Sequence, residues 1–341
     1  MKRPQLSVVV PCYNEEACLD MLHARVSAAA RAAVGESYEI VFVNDGSRDR
    51  SWEVMQRLSA ADPHLVGINL SRNHGHQLAL TAGLDLCAGE QILIIDADLQ
   101  DPPELLTEMR ATMAAQGADV VYAVRRKREG ESLFKKATAA VFYRMLDRIT
   151  DTPIPLDTGD FRLMSRRALD ALLSLPEQAR FIRGMVAWIG FRQVPFVYDR
   201  HERHAGETKY PLGKMIRFAL DAITGFSTAP LRFASHVGLL LTGASVLLIL
   251  YILIAWAMGH AIQGWTSTML VVVVIGAVQM FVLGMIGEYL GRLYVESKRR
   301  PLYLIADVAG PVQGHASLGY RHQDSGAVSV SPQARHNDSA E

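Results

Sequence analysis

The stretch QILIIDADLQDPPE (residues 91–104) decides the predicted fold. Its apolar run, Ile92–Ile95, is typical of a buried strand, and two carboxylates, Asp96 and Asp98, follow it directly. The segment Asp101–Glu104 then begins with an acid and two prolines. An acidic N-cap and a proline at the first helical position are both favoured at helix starts. The stretch therefore predicts a strand, an acidic loop and a helix in succession.

The same alternation extends through the first third of the chain. Apolar runs that predict further strands recur at steps of roughly 25–30 residues, at Leu6–Val10, Ile40–Val43, Leu65–Leu70 and Val120–Val124. Helical patterns lie between the strands, at Glu15–Val34, Ser51–Ala60, Gln77–Ala88 and Pro102–Gln116. Buried strands that alternate with helices favour an α/β fold with a mostly parallel sheet covered on both faces.

Polar and acidic residues follow three of the predicted strands. Strand one is followed by PCYNEE (11–16), strand two by NDGS (44–47) and strand four by DADLQ (96–100). Ligands of such sheets bind beyond the carboxyl ends of the strands, and paired carboxylates there can hold a divalent cation together with a diphosphate. The chain has no GxGxxG or GxxxxGK[ST] motif, which disfavours dinucleotide oxidoreductases and P-loop ATPases.

The formal net charge of zero conceals three unlike segments. The 341 residues include 35 basic and 35 acidic side chains, and half of the chain is apolar. Residues 1–124 contain 9 basic and 17 acidic residues, residues 125–232 contain 20 and 12, and residues 233–341 contain 6 and 6. The chain therefore has an acidic, a basic and a nearly neutral part. A nucleic-acid partner is disfavoured because the total provides no strong positive field.

The C-terminal part predicts a membrane hairpin. Residues 233–291 contain no Lys or Arg and a single acid, Glu288. Two apolar stretches, 233–258 and 268–290, each supply the ~20 residues that a spanning helix needs. Basic residues flank the pair but are absent from the connector, so the positive-inside rule predicts that both ends are cytoplasmic.

Four segments follow from these patterns. Residues 214–232 are predicted to form a juxtamembrane amphipathic helix at the membrane surface, and the tail is rich in the polar residues typical of disorder. The predicted segments are an α/β domain over 1–213, the amphipathic helix over 214–232, two transmembrane helices within 233–292, and a cytoplasmic tail over 293–341, disordered from about 310.

Six ordered motifs resemble those of a known family. They are PCYNEE (11–16), NDGSRDRS (44–51), RNHGHQLALTAGLD (72–85), DADLQDPPE (96–104), DTGDFRLMSRR (157–167) and GETKYPLGKM (206–215). In this order and before two apolar stretches, they resemble the bacterial polyprenyl-phosphate glycosyltransferases of glycosyltransferase family 2, both glucosyl and aminoarabinosyl types. Dolichol-phosphate mannose synthases are more distant relatives. The resemblance implies a GT-A (Rossmann-like) cytoplasmic domain carried by the bacterial inner membrane.

The resemblance also implies a reaction. A nucleotide-sugar, with UDP-glucose the leading donor, would transfer its sugar with inversion to undecaprenyl phosphate, assisted by Mg²⁺ or Mn²⁺. The product would be a polyprenyl-phosphate sugar for the cell envelope. UDP-N-acetylhexosamine and an aminoarabinose donor stay open as alternatives. The family further implies a homo-oligomer such as a tetramer, and small residues of the second apolar stretch, including Gly284 and Gly287, suit helix association.

Site residues are carried over position by position from the family motifs. The implied metal ligands are Asp98 and Gln100, with Asp96 contacting the ribose or helping to hold the metal. The other implied donor-binding residues are Pro11, Tyr13, Glu15, Asp45, Arg203 and Lys209. The implied acceptor-phosphate residues are Arg125, Arg126 and Lys135. Asp98 and Asp157 are the implied catalytic positions, with Asp157 acting as a base or only orienting a substrate.

Structural explanations stay open for several of these positions. Asn14 and Ser47 suit helix N-caps, the acids Asp157 and Asp160 suit a turn around Gly159, and a basic run is commonly a solvated face. A different function class, a non-catalytic membrane-tethered sensor or scaffold that binds nucleotide-sugars, also stays open. A processive polysaccharide synthase is disfavoured because two spanning helices are too few for a translocation channel.

Overall fold

The computed structural model describes residues 3–125, 158–198, 229–258 and 264–311. In this part of the chain it forms two units. The first is a mixed sheet with its covering helices, and it includes the segment that follows the last long helix. The second is a pair of long helices. Each unit is described by itself.

The first unit begins with alternating strands and helices. They are β1 (Leu6–Cys12), α1 (Leu19–Val34), β2 (Tyr38–Asn44), α2 (Ser51–Ala61), β3 (Leu65–Leu70), α3 (His76–Leu86), β4 (Gln91–Ile94), α4 (Leu106–Gln116) and β5 (Val120–Arg125). A short 3₁₀ helix, Pro103–Leu105, precedes α4. The five strands and four helices predicted for this region are confirmed, with small shifts at their ends.

The remaining described elements of this unit complete the sheet. They are β6 (Thr158–Ser165), α5 (Arg166–Leu173), α6 (Ile182–Trp188), β7 (Gln193–Tyr198) and β8 (Ile305–Ala309). The strand order is β7-β5-β6-β4-β1-β2-β3-β8. β6 runs antiparallel to β4 and β5, and β8 runs antiparallel to β3. The α/β class is therefore confirmed, but the expected mostly parallel sheet is a mixed one.

The central strands are buried over their whole length. Every residue of β1 and of β2 is buried, and α1 contributes Leu19, Leu22 and Val26 to the same core. Burial on both faces explains why these strands are continuous apolar runs rather than alternating ones. The rigid core fixes the ends of the strands, from which the polar loops extend.

The loop after β2 passes close to the loop after β3. Gly46 has a φ of +62°, and a Cβ at this position would lie 2.5 Å from the backbone of Arg72 and of Asn73. Gly46→Ala is therefore expected to lower the free energy of unfolding by about 2–4 kcal/mol, from backbone strain and crowding together. Denaturant unfolding of the purified protein measures this loss.

Gly117→Ala is the matched control for Gly46→Ala. Gly117 has a φ of +57°, but a Cβ there would meet nothing within 4 Å. It should therefore show only the strain of the left-handed backbone, about 1–2 kcal/mol. Equal losses in the two variants would contradict the crowding between the two loops.

The second unit contains the helices α7 (Ala229–Ala257) and α8 (Trp265–Ser297), which contact each other. Within the described residues, Val271–Ser297 is long and apolar enough to cross a membrane, with a mean hydropathy of 2.1, and Phe233–Leu248 is a shorter apolar segment. Residues 229–232 belong to the first turn of α7. The rest of the predicted amphipathic helix, 214–228, and the tail beyond residue 311 lie outside the described residues.

Candidate active site

Strand register brings two acidic segments to one edge of the sheet. β1 and β2 end side by side, with Cys12 opposite Asn44. β4 ends at Ile94, which pairs with Arg162 of the antiparallel strand β6. Asp96 lies two residues beyond Ile94, and Asp160 lies two residues before Arg162. The two carboxylates are therefore neighbours, although they are far apart in sequence.

The loop 96–100 forms a tight turn at this edge. The Gln100 backbone N–H donates to Asp98 Oδ1 at 3.1 Å. Leu99 adopts a φ of +60°, and its side chain is buried. The buried Leu99 anchors the turn, while Asp98 and Gln100 stay partly exposed. The predicted metal ligands thus sit on a fixed loop rather than on a free one.

Asp96 has a carboxylate oxygen that lacks a hydrogen bond. Its Oδ1 is buried and has no hydrogen-bond partner among the described residues. Burial raises the pKa of Asp96 to about 6, against the opposing influence of His76. A buried acceptor of this kind fits a cation or a ligand donor. Asp96, Asp98 and Gln100 each carry an oxygen atom of the kind that Mg²⁺ and Mn²⁺ prefer.

Asp160 is a buried ionic centre. Arg183 Nε donates to its Oδ1 at 2.8 Å, and His76 Nε2 lies 2.9 Å from its Oδ2. Burial alone would raise the pKa of Asp160, but the hydrogen bond to His76 and the charges of Arg183 and Arg162 hold it well below its usual range. The alternative of a turn around Gly159 is wrong, because Gly159 and Asp160 lie within β6.

Asp160 is poorly suited to be a metal ligand. His76, Asp96 and Asp160 offer ligand atoms that lie within 4.8 Å of one another, a spacing compatible with a shared cation. A cation at Asp160 would compete with the Arg183 guanidinium, which already pairs with it at 2.8 Å. Asp98 and Gln100 therefore stay the predicted metal ligands.

The loops after β1 and β2 are tied to each other. The Asn14 N–H donates to Ser47 Oγ at 2.9 Å, and the Arg48 N–H donates to Asn14 Oδ1 at 2.8 Å. Neither side chain caps its own helix, since α1 and α2 lack side-chain cap bonds. Tyr13 is left exposed. This arrangement presents an aromatic ring on a braced loop at the same edge of the sheet.

Asp45 organises the loop before α3. Its buried carboxylate accepts the backbone N–H of His74 at 2.7 Å and of Gly75 at 2.9 Å. Burial raises the pKa of Asp45, while these two hydrogen bonds act in the opposite direction. The structure thus gives Asp45 a loop-holding role, and its predicted contact with a nucleobase stays a prediction.

The other predicted site residues divide by location. Pro11 is buried within β1, Glu15 lies in the loop that follows, and Arg125 is the last residue of β5. The residues that lie outside the described part of the chain are Arg126, Lys135, Asp157, Arg203 and Lys209.

Asp101 binds a distant residue that the sequence does not predict. This acid was expected to cap the helix that follows, but the 3₁₀ helix at Pro103 has no side-chain cap. Instead the Tyr198 hydroxyl donates to Asp101 Oδ1, and both residues are buried. The contact joins the end of the acidic loop to the last residue of β7. An acid before two prolines has no sequence feature that would reveal such a distant partner.

A mixed sheet with a braced Asp-x-Asp loop at its carboxyl edge is typical of α/β enzymes that hold a diphosphate through a divalent cation. Comparison with known proteins identifies the family to which this chain belongs. Residues 7–173 match the family model "Glycosyl transferase family 2", and residues 229–293 match "GtrB C-terminal hairpin". The chain therefore belongs to glycosyltransferase family 2, with the GT-A fold, and is a glycosyltransferase.

Full-length relatives agree with this assignment. The chain is 48% identical over 302 residues to the uncharacterized glycosyltransferase YkcC of Bacillus subtilis, covering 88% of this chain and 93% of that one. It is 42% identical over 307 residues to the uncharacterized glycosyltransferase sll0501 of Synechocystis, covering 90% and 96%. It is 37% identical over 302 residues to the bactoprenol glucosyl transferase of Shigella phage SfV, covering 88% and 98%.

Proposed function

We propose that this enzyme transfers a glucosyl group from UDP-glucose to undecaprenyl phosphate at the inner membrane. The braced loop 96–100, in which Asp96 Oδ1 is buried without a hydrogen bond to any described residue, carries the donor half of the proposal. The match to the GtrB C-terminal hairpin and the relative named bactoprenol glucosyl transferase support the acceptor half. One chain thus combines a diphosphate-handling edge with a membrane anchor.

The donor site would combine a divalent cation with two basic side chains. A bound Mg²⁺ or Mn²⁺ supplies positive charge that stabilises the departing nucleoside diphosphate. Asp98 and Gln100 would hold this ion, and Asp96 would contact either the ion or a ribose hydroxyl. Arg203 and Lys209 would close over the diphosphate.

The acceptor side uses the basic segment that begins at the end of β5. Arg125, Arg126 and Lys135 would bind the phosphate of the lipid. An oxygen of that phosphate attacks the anomeric carbon as the bond from this carbon to the diphosphate breaks, and the electron pair leaves with UDP. Because a phosphate monoester loses its second proton near pH 6, the nucleophile is already anionic at neutral pH. Asp157 would then orient a substrate or accept a residual proton.

Both membrane helices are proposed to cross the bilayer. β8 follows α8 in the chain and pairs with β3, so it belongs to the same sheet as the strands that precede α7. The chain must therefore return to its starting side of the membrane, which requires an even number of crossings. This supports a two-pass hairpin with the catalytic domain and both termini in the cytoplasm.

Cysteine labelling tests this topology. The Cys18→Ser background removes the partly exposed native thiol. In this background, the substitution Gln263→Cys introduces a thiol between α7 and α8, which should react with a membrane-impermeant maleimide in intact spheroplasts. Gln313→Cys lies after β8 and should react only once the membrane is opened. Labelling of both positions from the same side would contradict the two-pass hairpin.

Radiolabel transfer tests the reaction. The purified enzyme, with undecaprenyl phosphate, UDP-[¹⁴C]glucose and Mn²⁺, should move radioactivity into an organic-extractable lipid. Omission of undecaprenyl phosphate is the control, and labelled UDP-N-acetylglucosamine and an aminoarabinose donor test the sugar. UDP-glucose binding without any lipid product, for every donor, would overturn the proposal in favour of a sensor or scaffold.

We also propose that the enzyme self-associates through α8. Gly276, Gly284, Gly287 and Gly291 have open space where a Cβ would be, and small residues allow close approach of membrane helices. Light scattering in detergent should give the mass of an oligomer such as a tetramer. A monomeric mass in detergent and in nanodiscs would contradict this.

A further inference from the structure

His76 is a half-exposed histidine beside the acidic edge. It is the first residue of α3, and 44% of its side chain is exposed. Its Nε2 lies 2.9 Å from Asp160 Oδ2 and 3.7 Å from Asp96 Oδ1. No hydrogen bond of Nδ1 is found among the described residues. One ring nitrogen is therefore bound, and the other is available.

Contacts on the Nε2 side fix the orientation of the His76 ring. Asp160 is ionised and accepts only, so the nitrogen that faces it carries the hydrogen. Asp160 is itself held by Arg183 at 2.8 Å and by Gln77 Nε2 at 3.3 Å. Gln77 is fixed in turn, because its Oε1 accepts the N–H of Ile182 at 2.9 Å. Three elements, α3, β6 and α6, thus set the direction of one imidazole.

We propose that His76 is a donor-binding residue whose Nδ1 hydrogen-bonds a sugar-ring hydroxyl of the nucleotide-sugar beside Asp96. A hydroxyl both donates and accepts, so it can pair with Nδ1 in either protonation state of the ring. The inference rests on the proposed function, because it takes the ligand at this edge to be a nucleotide-sugar. The hydroxyl belongs either to the ribose or to the transferred hexose, and the experiment below separates the two.

His23 shows what a purely structural histidine looks like in this chain. Its Nε2 lies 2.8 Å from Asp62 Oδ2, a contact like that of His76 with Asp160. The His23 side chain is only 16% exposed, and its ring packs edge-on against Phe42 with 6.5 Å between the ring centroids. His76 shares the carboxylate contact but is far more exposed, with 44% of its side chain accessible. This greater exposure leaves room for a ligand at the His76 ring.

Two substitutions at position 76 separate binding from a structural role. In His76→Gln the amide can still reach Asp160 but leaves the Nδ1 position empty. In His76→Asn the amide takes the Nδ1 position but no longer reaches Asp160. A binding role predicts that Gln weakens nucleotide affinity about three- to tenfold, the loss expected for one hydrogen bond, and more than Asn does. A structural role predicts the opposite order.

Calorimetric titration of the full chain in Mn²⁺ gives the readout without turnover. If the hydroxyl is on the ribose, His76→Gln weakens UDP and UDP-glucose alike, and 2′-deoxy-UDP or 3′-deoxy-UDP abolishes the difference from wild type. If it is on the hexose, only UDP-glucose is weakened. His23→Gln is the control and should leave both affinities unchanged.

Distinct results overturn the inference and the proposed function. Equal affinities of wild type and His76→Gln for both ligands, with wild-type transfer intact, would overturn only the role of His76. A larger loss for Asn than for Gln would also overturn it. Wild-type protein that binds neither UDP nor UDP-glucose would overturn the proposed function. Melting temperatures of all variants verify that each one is folded.

Discussion

Asp160→Asn is expected to lower the free energy of unfolding by about 3–5 kcal/mol, the usual cost of removing one partner of a buried ion pair. The substitution preserves size but removes the charge that balances Arg183 and Arg162. Arg162 is buried, and this burial lowers its pKa to about 10 while Asp160 acts in the opposite direction. Without the carboxylate, the buried guanidinium of Arg162 would lose the charge that balances it, while the partly exposed Arg183 would still repel it.

Asp170→Asn provides the matched control for Asp160→Asn. Asp170 pairs with Arg166 at 3.6 Å, but 63% of its side chain is exposed. An exposed pair contributes at most about 1 kcal/mol, so this variant should unfold almost like the wild type. Denaturant unfolding followed by tryptophan fluorescence measures both variants. Equal stability of the Asp160 and Asp170 variants would contradict the assignment of Asp160 as a buried ionic centre.

The sequence pattern did not predict strands that contain buried charged residues or that pair with a segment far away in the chain. β6 contains Asp160 and Arg162, two residues apart and both buried, which a periodicity analysis interprets as exposed positions. β8 has five residues and gains its stability from pairing with β3, more than 230 positions earlier. Strands β1 to β5 are apolar runs, so the sequence predicts them without knowledge of the strands with which they pair.

The candidate site also contains features that the sequence predicts and features that it does not. Asp96, Asp98 and Gln100 were predictable because they follow a buried strand directly, and strand ends meet at one edge in a parallel sheet. The contact of His76 with Asp160 spans 84 positions and depends on the antiparallel strand β6. Local patterns predict which residues reach the edge of the sheet, whereas tertiary contacts decide which of them remain available to a ligand.

Asp98→Asn is expected to reduce sugar transfer about 100- to 1,000-fold, the range seen when one group that stabilises developing negative charge is lost. The amide keeps an oxygen for the turn contact with the Gln100 N–H but no longer carries the charge that holds a divalent ion. The loss should therefore appear with little change in the melting temperature. Radiolabel transfer to undecaprenyl phosphate measures the rate.

Glu104→Gln is the matched control for Asp98→Asn, because it removes a charge six positions further along the chain. Glu104 pairs with Arg25 at 2.8 Å on the outside of the sheet, and 54% of its side chain is exposed. Its transfer rate should equal that of the wild type.

The electron paramagnetic resonance signal of free Mn²⁺ adds a readout independent of turnover. In the presence of UDP, wild type and Glu104→Gln should deplete this signal, and Asp98→Asn should not. Equal depletion by all three proteins would place the ion on other ligands, whatever the transfer rates.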